Sequence, residues 1–457
     1  MDYSAANAGL WNAFVYLGII AGLLLLGNVL NRKVTWVRKS LLPVSALAGF
    51  LLLIARNTGV LRVPLEILEM ITYHGIALGF IAMSLRTTKD SHGGAYAFKS
   101  GALIVSTYLM QALVGLGVSI LLAWTFMPDM FKAAGLLLPM AYGQGPGQAN
   151  NVGSSYEALG FLGGRSFGLS LAAAGYLCAC LVGLWYTRRL INSGKYAKPQ
   201  NETVSGSVTV DLFEDKNEVP LSDSVDRLST QVALVLVTYL ITYLVAWGLT
   251  SGIAAVMPGL SKTLSPLIWG FNFIVGSSVA MGVRAFLQML RSRKIMSRQY
   301  QNNYLLNRIS GLAFDLMIVA GIASIDFRDL QGLVTPFLLM AVLGGVSTYF
   351  FVRYLCRSLT PDFADESFVA MYGMLTGTIS SGILPLRQID PLYKTPAADQ
   401  LVIGSGTAIL FGAPMLLLIG FAPQSDAMLA LTVGLCAVYM AALVWFILRK
   451  PKAKTGK

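Results

Sequence analysis

Two glycine-rich stretches interrupt otherwise apolar segments of this chain, and both carry groups able to hold an ion or a small polar solute. The first reads Met140-Ala-Tyr-Gly-Gln-Gly-Pro-Gly-Gln-Ala-Asn-Asn151 and the second Ala370-Met-Tyr-Gly-Met-Leu-Thr-Gly-Thr-Ile-Ser-Ser381. Both contain Tyr-Gly-x-x-x-Gly, at Tyr142, Gly143 and Gly147 and again at Tyr372, Gly373 and Gly377, offset by 230 residues. A helix broken at such a place leaves backbone carbonyls free to coordinate a hard cation, while its exposed N–H groups and positive dipole end can hold a carboxylate. Gln144, Gln148, Asn150, Asn151, Ser154 and Ser155 are available near the first break, and Thr376, Thr378, Ser380 and Ser381 near the second. Any one of these hydroxyls more often bonds back to its own helix, and any one of the glycines more often serves close helix packing. The cluster and its repetition, more than any single residue, point to a site.

Charged residues inside apolar runs are the second source of chemistry, because each costs several kcal/mol at membrane depth unless paired or hydrated. Asp315, within Gly311-Leu-Ala-Phe-Asp-Leu-Met, lies midway along its run and suits a cation or proton site as readily as a buried structural pair. Arg387 follows the second break, where a guanidinium could hold a carboxylate through two parallel hydrogen bonds or pair locally with Asp390. Arg284 is close enough to its helix end to snorkel. His74 lies mid-run with Glu66 and Glu69 one to two turns away, and such a lone histidine is more often a hydrogen-bonded packing residue than a proton relay.

The elements that must position these groups are set by composition. Of 457 residues, 55% are hydrophobic and only 12% charged, with a mean hydropathy of +0.64, against about a quarter charged in soluble chains. At about 20 residues per crossing, eleven runs read as membrane-spanning helices: 8–30, 40–55, 64–85, 100–124, 163–187, 230–256, 265–290, 304–325, 332–356, 400–421 and 425–448. The stretches 133–155 and 367–390 are too broken by glycine, proline, serine and asparagine to face lipid as plain helices, and they read as re-entrant hairpins. Met1 to Asn7 carries no Lys or Arg, so the first run reads as retained rather than as a cleaved signal peptide. Two histidines and four dispersed cysteines indicate neither a zinc site nor a disulfide framework.

Charge supplies the orientation. Most of the 34 basic residues fall in loops 32–39, 86–99, 188–227, 291–308, 353–357 and 449–457, whereas the alternate loops hold only Arg56, Arg62, Lys132, Arg165, Lys262 and Arg328. The positive-inside rule then puts the N-terminus outside and the C-terminus in the cytoplasm of a bacterial inner membrane. Read this way, the net charge of +12 is a topology signal, and nucleic-acid binding is the weaker reading of it. Residues 192–228, polar and of mixed charge, form a cytoplasmic linker between two halves.

The offset of 230 lays most spans of the first half over spans of the second. Five full spans precede the linker, an odd number, so the second half is inverted and the two hairpins enter from opposite sides. The expected fold is an all-α polytopic membrane protein of two inverted-topology repeats, about 11 transmembrane helices plus two re-entrant hairpins. Its divisions are an additional N-terminal helix (1–30), a first repeat (31–191), the linker, an inverted repeat (229–421) and an additional C-terminal helix with a basic tail (422–457). Inverted repeats with broken helices are the architecture of secondary transporters.

The order of spans, the two glycine-rich hairpins, the run Tyr372-Gly-Met-Leu-Thr-Gly-Thr-Ile-Ser-Ser-Gly382 and the run Leu386-Arg-Gln-Ile-Asp-Pro391 resemble the glutamate:sodium symporter family over residues 35–420. The resemblance implies sodium-driven glutamate uptake and a homodimer with separate scaffold and moving core regions. It also implies a substrate and sodium site around Gly143 to Asn151 and Gly373 to Gly382. Combined with the residue chemistry, it assigns Gln148, Asn150, Asn151, Ser154, Thr378, Ser380, Ser381 and Arg387 to a small carboxylate substrate. Gly145, Gly147, Thr376, Gly377 and Asp315 are assigned to sodium. Familiar members carry a Ser-Gly-Gly-His-Gly-Thr-Gly type of first hairpin where this chain has Ala141-Tyr-Gly-Gln-Gly-Pro-Gly147, which places the chain on a distant branch. Sodium- or proton-coupled carriage of citrate or malate is the alternative within the same architecture. A channel fits paired hairpins less well, and an intramembrane enzyme would need a nucleophile and base or clustered metal ligands.

Overall fold

The computed structural model describes residues 3–4, 7–87, 94–196, 227–257, 261, 265, 268–270, 272–296, 299–390 and 395–449. Most of the expected linker, His92 and the basic tail from Lys450 lie outside the described residues.

The chain is all-helical, with no strand among the described residues. The reason is the solvent that its composition implies: in lipid a helix satisfies each backbone N–H and C=O within its own segment. In chain order the helices are α1 (Ala8–Lys33), α2 (Thr35–Lys39), α3 (Val44–Asn57), α4 (Leu65–Leu85), α5 (Gly94–Trp124), α6 (Leu137–Tyr142), α7 (Pro146–Glu157) and α8 (Gly164–Asn192). They continue as α9 (Arg227–Val256), α10 (Asn272–Ser292), α11 (Asn303–Ala323), α12 (Val334–Leu359), α13 (Ala364–Thr376), α14 (Ile379–Ile389), α15 (Ala397–Phe421) and α16 (Asp426–Leu448).

Among the described residues nine helices are long and apolar enough to cross a membrane, or ten with one bent pair, as befits a multi-pass membrane protein. The expectation of eleven plain spans differs from this at two places. The run 40–55 forms α3 over only 14 residues, about 21 Å at 1.5 Å per residue and short of a hydrocarbon core of about 30 Å. The run 400–421 bends by 50° between Ile403–Ile409 and Phe411–Gln424. Pro414 lies inside that helix, and a proline removes its own N–H bond and pushes on the carbonyl four residues earlier, here residue 410.

The described chain divides into two compact units, each assembled from both sides of the linker. Unit 1 comprises residues 1–29, 44–89 and 200–324 and contains α1, α3, α4, α9, α10 and α11. Its packing centres on α11 lying along α3 and α4. Ala48, Leu52, Leu68, Ile71, Val319 and Ala320 form one buried apolar cluster there. Two small residues a turn apart on α4 let α11 approach: a Cβ on Gly75 would come 3.1 Å from Met317 Cβ, and one on Gly79 would strike the Phe314 ring.

Unit 2 comprises residues 30–43, 90–199 and 325–457 and contains the remaining helices. Within it α5 packs on α12, α15 and α16, while α8 packs on the short helices α6, α7, α13 and α14. The two glycine-rich stretches thus lie in one unit and against one helix.

Candidate functional site

The two breaks in unit 2 follow from local backbone chemistry. Helix α6 stops at Tyr142, and α7 restarts with Pro146 at its first position, where a proline's missing N–H costs nothing and its fixed φ suits a helix start. The residue before it, Gly145, has φ 86° and ψ −176°, a region that side chains other than hydrogen avoid. In the second stretch α13 ends at Thr376, Gly377 caps it, and extended Thr378 precedes α14.

Packing then brings the breaks together. A Cβ on Gly145 would lie 3.9 Å from both Gly377 O and Thr378 Cγ2, so the cap of α7 abuts the cap of α14. Behind them, Gly175 of α8 touches both stretches: its Cβ would come 2.2 Å from Thr376 O and 3.0 Å from the Tyr142 ring. The tyrosines of the repeated motif anchor on successive turns of α12, with the Tyr142 hydroxyl donating to Ala341 O at 2.7 Å and that of Tyr372 to Gly345 O at 3.3 Å. Two helix N-termini therefore meet in the interior, and neither has a side-chain cap. The first N–H groups of each have no intrahelical acceptor, and each helix contributes about half a positive charge.

Unpartnered polar atoms concentrate around this junction. Gln148, third residue of α7, is fully buried, and neither amide atom has a hydrogen-bond partner. Ser381 is third in α14 and 2% exposed; its unpartnered hydroxyl comes within 2.7 Å of a Cβ built on Gly377, so it faces the break. Thr378 Oγ1 and Asn150 Oδ1 are likewise buried without a partner. On α5, Gln111 donates through Nε2 to Thr348 Oγ1 and to Leu375 O, both at 2.9 Å, and its Oε1 is left unpartnered. Folded proteins pair about nine in ten buried polar groups, so such a concentration is what a site for a polar ligand requires.

The other sequence-selected residues fall in different places. Gly147 is buried in the first turn of α7, Asn151 is buried within α7 and Ser154 half-buried there. Thr376 is buried with its hydroxyl donated back to Tyr372 O at 2.9 Å, and Ser155 likewise bonds to Asn151 O. The side chain of Ser380 lies outside the description. Arg387 is exposed in the last turn of α14, about 12 Å along the axis from the start of that helix, so the fold does not gather it with the residues of the break. Asp315 belongs to unit 1, on α11 beside Ser45 of α3. In the same unit His74 Nδ1 shares a 2.6 Å hydrogen bond with Tyr239, and Arg284 donates to Arg86 O at 3.0 Å. Among the described residues no three His, Cys, Asp or Glu side chains group as metal ligands.

Gln111 and Gly175 were missed by sequence reasoning. The signal for Gln111 was present, since it is a lone amide deep in the apolar run 100–124. Nothing local distinguishes Gly175 from other glycines in apolar helices.

At the start of α13, before the second stretch turns apolar, Asp365 accepts from Lys195 Nζ at 2.5 Å and from the Tyr186 hydroxyl at 2.6 Å. Arg353 stacks over Tyr186 and Tyr349, whose rings adjoin Phe368, and Phe368 adjoins Tyr372. Burial alone would raise the Asp365 carboxyl, but the hydrogen bonds from Lys195 and Tyr186 and the Arg353 charge outweigh it and hold the carboxyl below its ordinary value. A depressed carboxyl stabilises the fold above the unfolded value near 3.9 and loses that stabilisation as pH falls through the folded value. Asp365→Asn is therefore expected to lower the melting temperature in detergent at pH 7 and to differ less from the parent at pH 3. The effect should be about 1 kcal/mol or less, since the pair is partly solvated. An equal difference at both pH values would show that the charge is not what matters.

No protein-family model matches this chain, and no curated protein aligns with it significantly.

Proposed function

We propose that this chain is a secondary active transporter that takes up a small carboxylate, glutamate by the resemblance noted above, together with sodium. The observation that carries the reading is the abutment of the uncapped N-termini of α7 and α14 among buried, unpartnered polar side chains. A carboxylate placed there accepts from the first-turn N–H groups of both helices and from Ser381 and Gln148, and it meets the positive ends of two dipoles. Sodium is held by oxygen alone: the Thr376 hydroxyl oxygen and the backbone carbonyls at the two breaks, of Gly145 before α7 and of Gly377 after α13. Asp315 is kept as a second sodium position, within unit 1.

The halves act as inverted repeats, α6–α7 and α13–α14 as re-entrant hairpins from opposite sides, and the protein as a homodimer in a bacterial inner membrane with its C-terminus in the cytoplasm. Support comes from the loop charges and from the composition of the two units, each drawn from both halves, as a scaffold and a moving core built from repeats would be. Sodium orders the hairpin tips, the carboxylate binds their helix ends, and the loaded core moves against the scaffold. Linkage requires that if sodium tightens the carboxylate, the carboxylate tightens sodium by the same factor.

The test is uptake of radiolabelled glutamate into proteoliposomes under an inward sodium gradient, with choline replacing sodium in the control and aspartate, malate and citrate as competitors. Sodium-dependent accumulation above equilibrium is the expected result. Accumulation driven equally by a proton gradient in choline would remove sodium from the mechanism, and equilibration without accumulation would make the protein a channel.

A further inference from the structure

A buried amide on α5 stands where that helix meets both breaks. Gln111 is fully buried in the uncharged run 100–124, where a polar group is costly unless its hydrogen bonds are met. Three residues earlier on α5 is Tyr108, whose ring a Cβ on Gly143 of the first break would strike. At Gln111 the helix meets the second break: Nε2 donates to Leu375 O, in the last turn of α13, and to Thr348 Oγ1 of α12, both at 2.9 Å. Residues three apart are neighbours on a helix surface, so one face of α5 touches both broken stretches.

These contacts fix the chemistry of the amide. A carbonyl oxygen only accepts, so the atom against Leu375 O is the nitrogen, and Oε1 is left without a donor. The end of α13 adds further acceptors. Carbonyls in the last turn of a helix have no N–H four residues on, and they form the negative end of its dipole. Thr376 spends its proton on Tyr372 O at 2.9 Å, which leaves its oxygen free to accept. Gly377 O lies at the abutment with Gly145. Oxygens gathered in this way repel one another unless a cation lies among them. Neither 100–124 nor 367–386 contains Asp or Glu, so these oxygens are neutral, which suits a monovalent ion better than calcium or magnesium, whose protein sites are built on carboxylates.

We infer, on the sodium-coupled reading above, that Gln111 Oε1 is a further ligand of the coupling sodium, beside the Thr376 hydroxyl and the Gly145 and Gly377 carbonyls. Through Nε2 the same amide holds α12 and the end of α13. Filling the sodium site therefore fixes Leu375, and with it the end of α13 that leads into the cap of α14, where the carboxylate binds.

The experiment uses the purified full-length protein in nanodiscs and measures glutamate binding by calorimetry across a series of sodium concentrations, with choline holding the ionic strength. Gln111→Met keeps the length of the side chain and removes the oxygen. It should raise the half-saturating sodium concentration at least about tenfold, the scale on which metal sites respond to loss of a supporting group. Glutamate affinity at saturating sodium should stay within about threefold of the parent, because a filled sodium site restores the same complex. Should Gln111→Met fail to fold, Gln111→Asn, which withdraws the oxygen by one methylene, carries the same expectation. An unchanged half-saturating sodium concentration in the folded variant would overturn the inference and leave sodium coupling intact. So would a loss of glutamate affinity that saturating sodium does not restore, since Gln111 would then serve the substrate or the fold instead of the ion. Glutamate binding by the parent that is absent or indifferent to sodium would overturn the sodium-coupled reading and the inference with it.

Discussion

Gln148→Met should yield a protein that melts at a higher temperature and binds substrate about a hundredfold more weakly. Gln148 places a full amide in the interior of unit 2 with neither its oxygen nor its nitrogen paired. An unpaired buried polar group costs about 1–3 kcal/mol, and replacing it with an apolar group of the same shape removes that cost. Methionine is unbranched and close in length, so it fills the same space without overpacking. Function should move the other way. Gln148 is the third residue of α7, beside the N–H groups proposed to hold the carboxylate, and its loss should weaken binding by about a hundredfold, near the value of one strong hydrogen bond to a charged group. Thermal melts and sodium-dependent binding on the same preparation report both quantities. A lower melting temperature would mean that Gln148 is a satisfied structural residue and would remove the main support for a site at this junction.

The second large effect is expected at Gly175, where α8 touches both broken stretches. A Cβ there would sit 2.2 Å from the carbonyl oxygen of Thr376 and 3.0 Å from the Tyr142 ring. Backbone cannot yield as the tip of a flexible side chain can, so Gly175→Ala must displace the end of α13, the adjoining Gly377 and with them the cap of α14. Overpacking of this kind costs about 1–3 kcal/mol. Displacing a site by about 1 Å can cost about a hundredfold in rate, so uptake should fall by at least about tenfold at substrate concentrations that saturate the parent. Gly434→Ala is the control: it lies within α16, nothing is within 4 Å of its Cβ position, and alanine there should be neutral or stabilising by about 0.5–1 kcal/mol. If the two variants behave alike in melting and uptake, close packing at Gly175 is not what holds the breaks in register.

How far the site could be read beforehand depends on the kind of information each residue carries. The helix breaks were legible because Gly145-Pro146 and Gly377-Thr378 act on their own backbone. Gln148 and Ser381 could be selected as candidates because amides and hydroxyls in an apolar segment are conspicuous. Their status was not legible: Thr376 and Ser155 bear the same kind of hydroxyl as Ser381 yet spend it on their own helices, and only the neighbouring atoms distinguish them. Arg387 looked close to the break in sequence, but eight residues of helix separate it from the start of α14. Asp315 stood out by its charge, and its assignment to unit 1 follows from the packing of α11 on α3 and α4.

The sequence alone determined the helical class, the approximate placement of the membrane-capable segments, the asymmetry of loop charge and the two points at which helices must break. These are properties of a residue and its near neighbours: lipid compels helices, and glycine and proline act within a turn. Tertiary structure decided that the caps at Gly145 and Thr378 touch, that Tyr142 and Tyr372 share α12, that Gln111 and Gly175 join them, and that α3 is too short to cross in a straight line. Those facts join residues up to more than 200 positions apart. They follow from how helices settle against one another, where a single absent Cβ on one helix decides what another can approach.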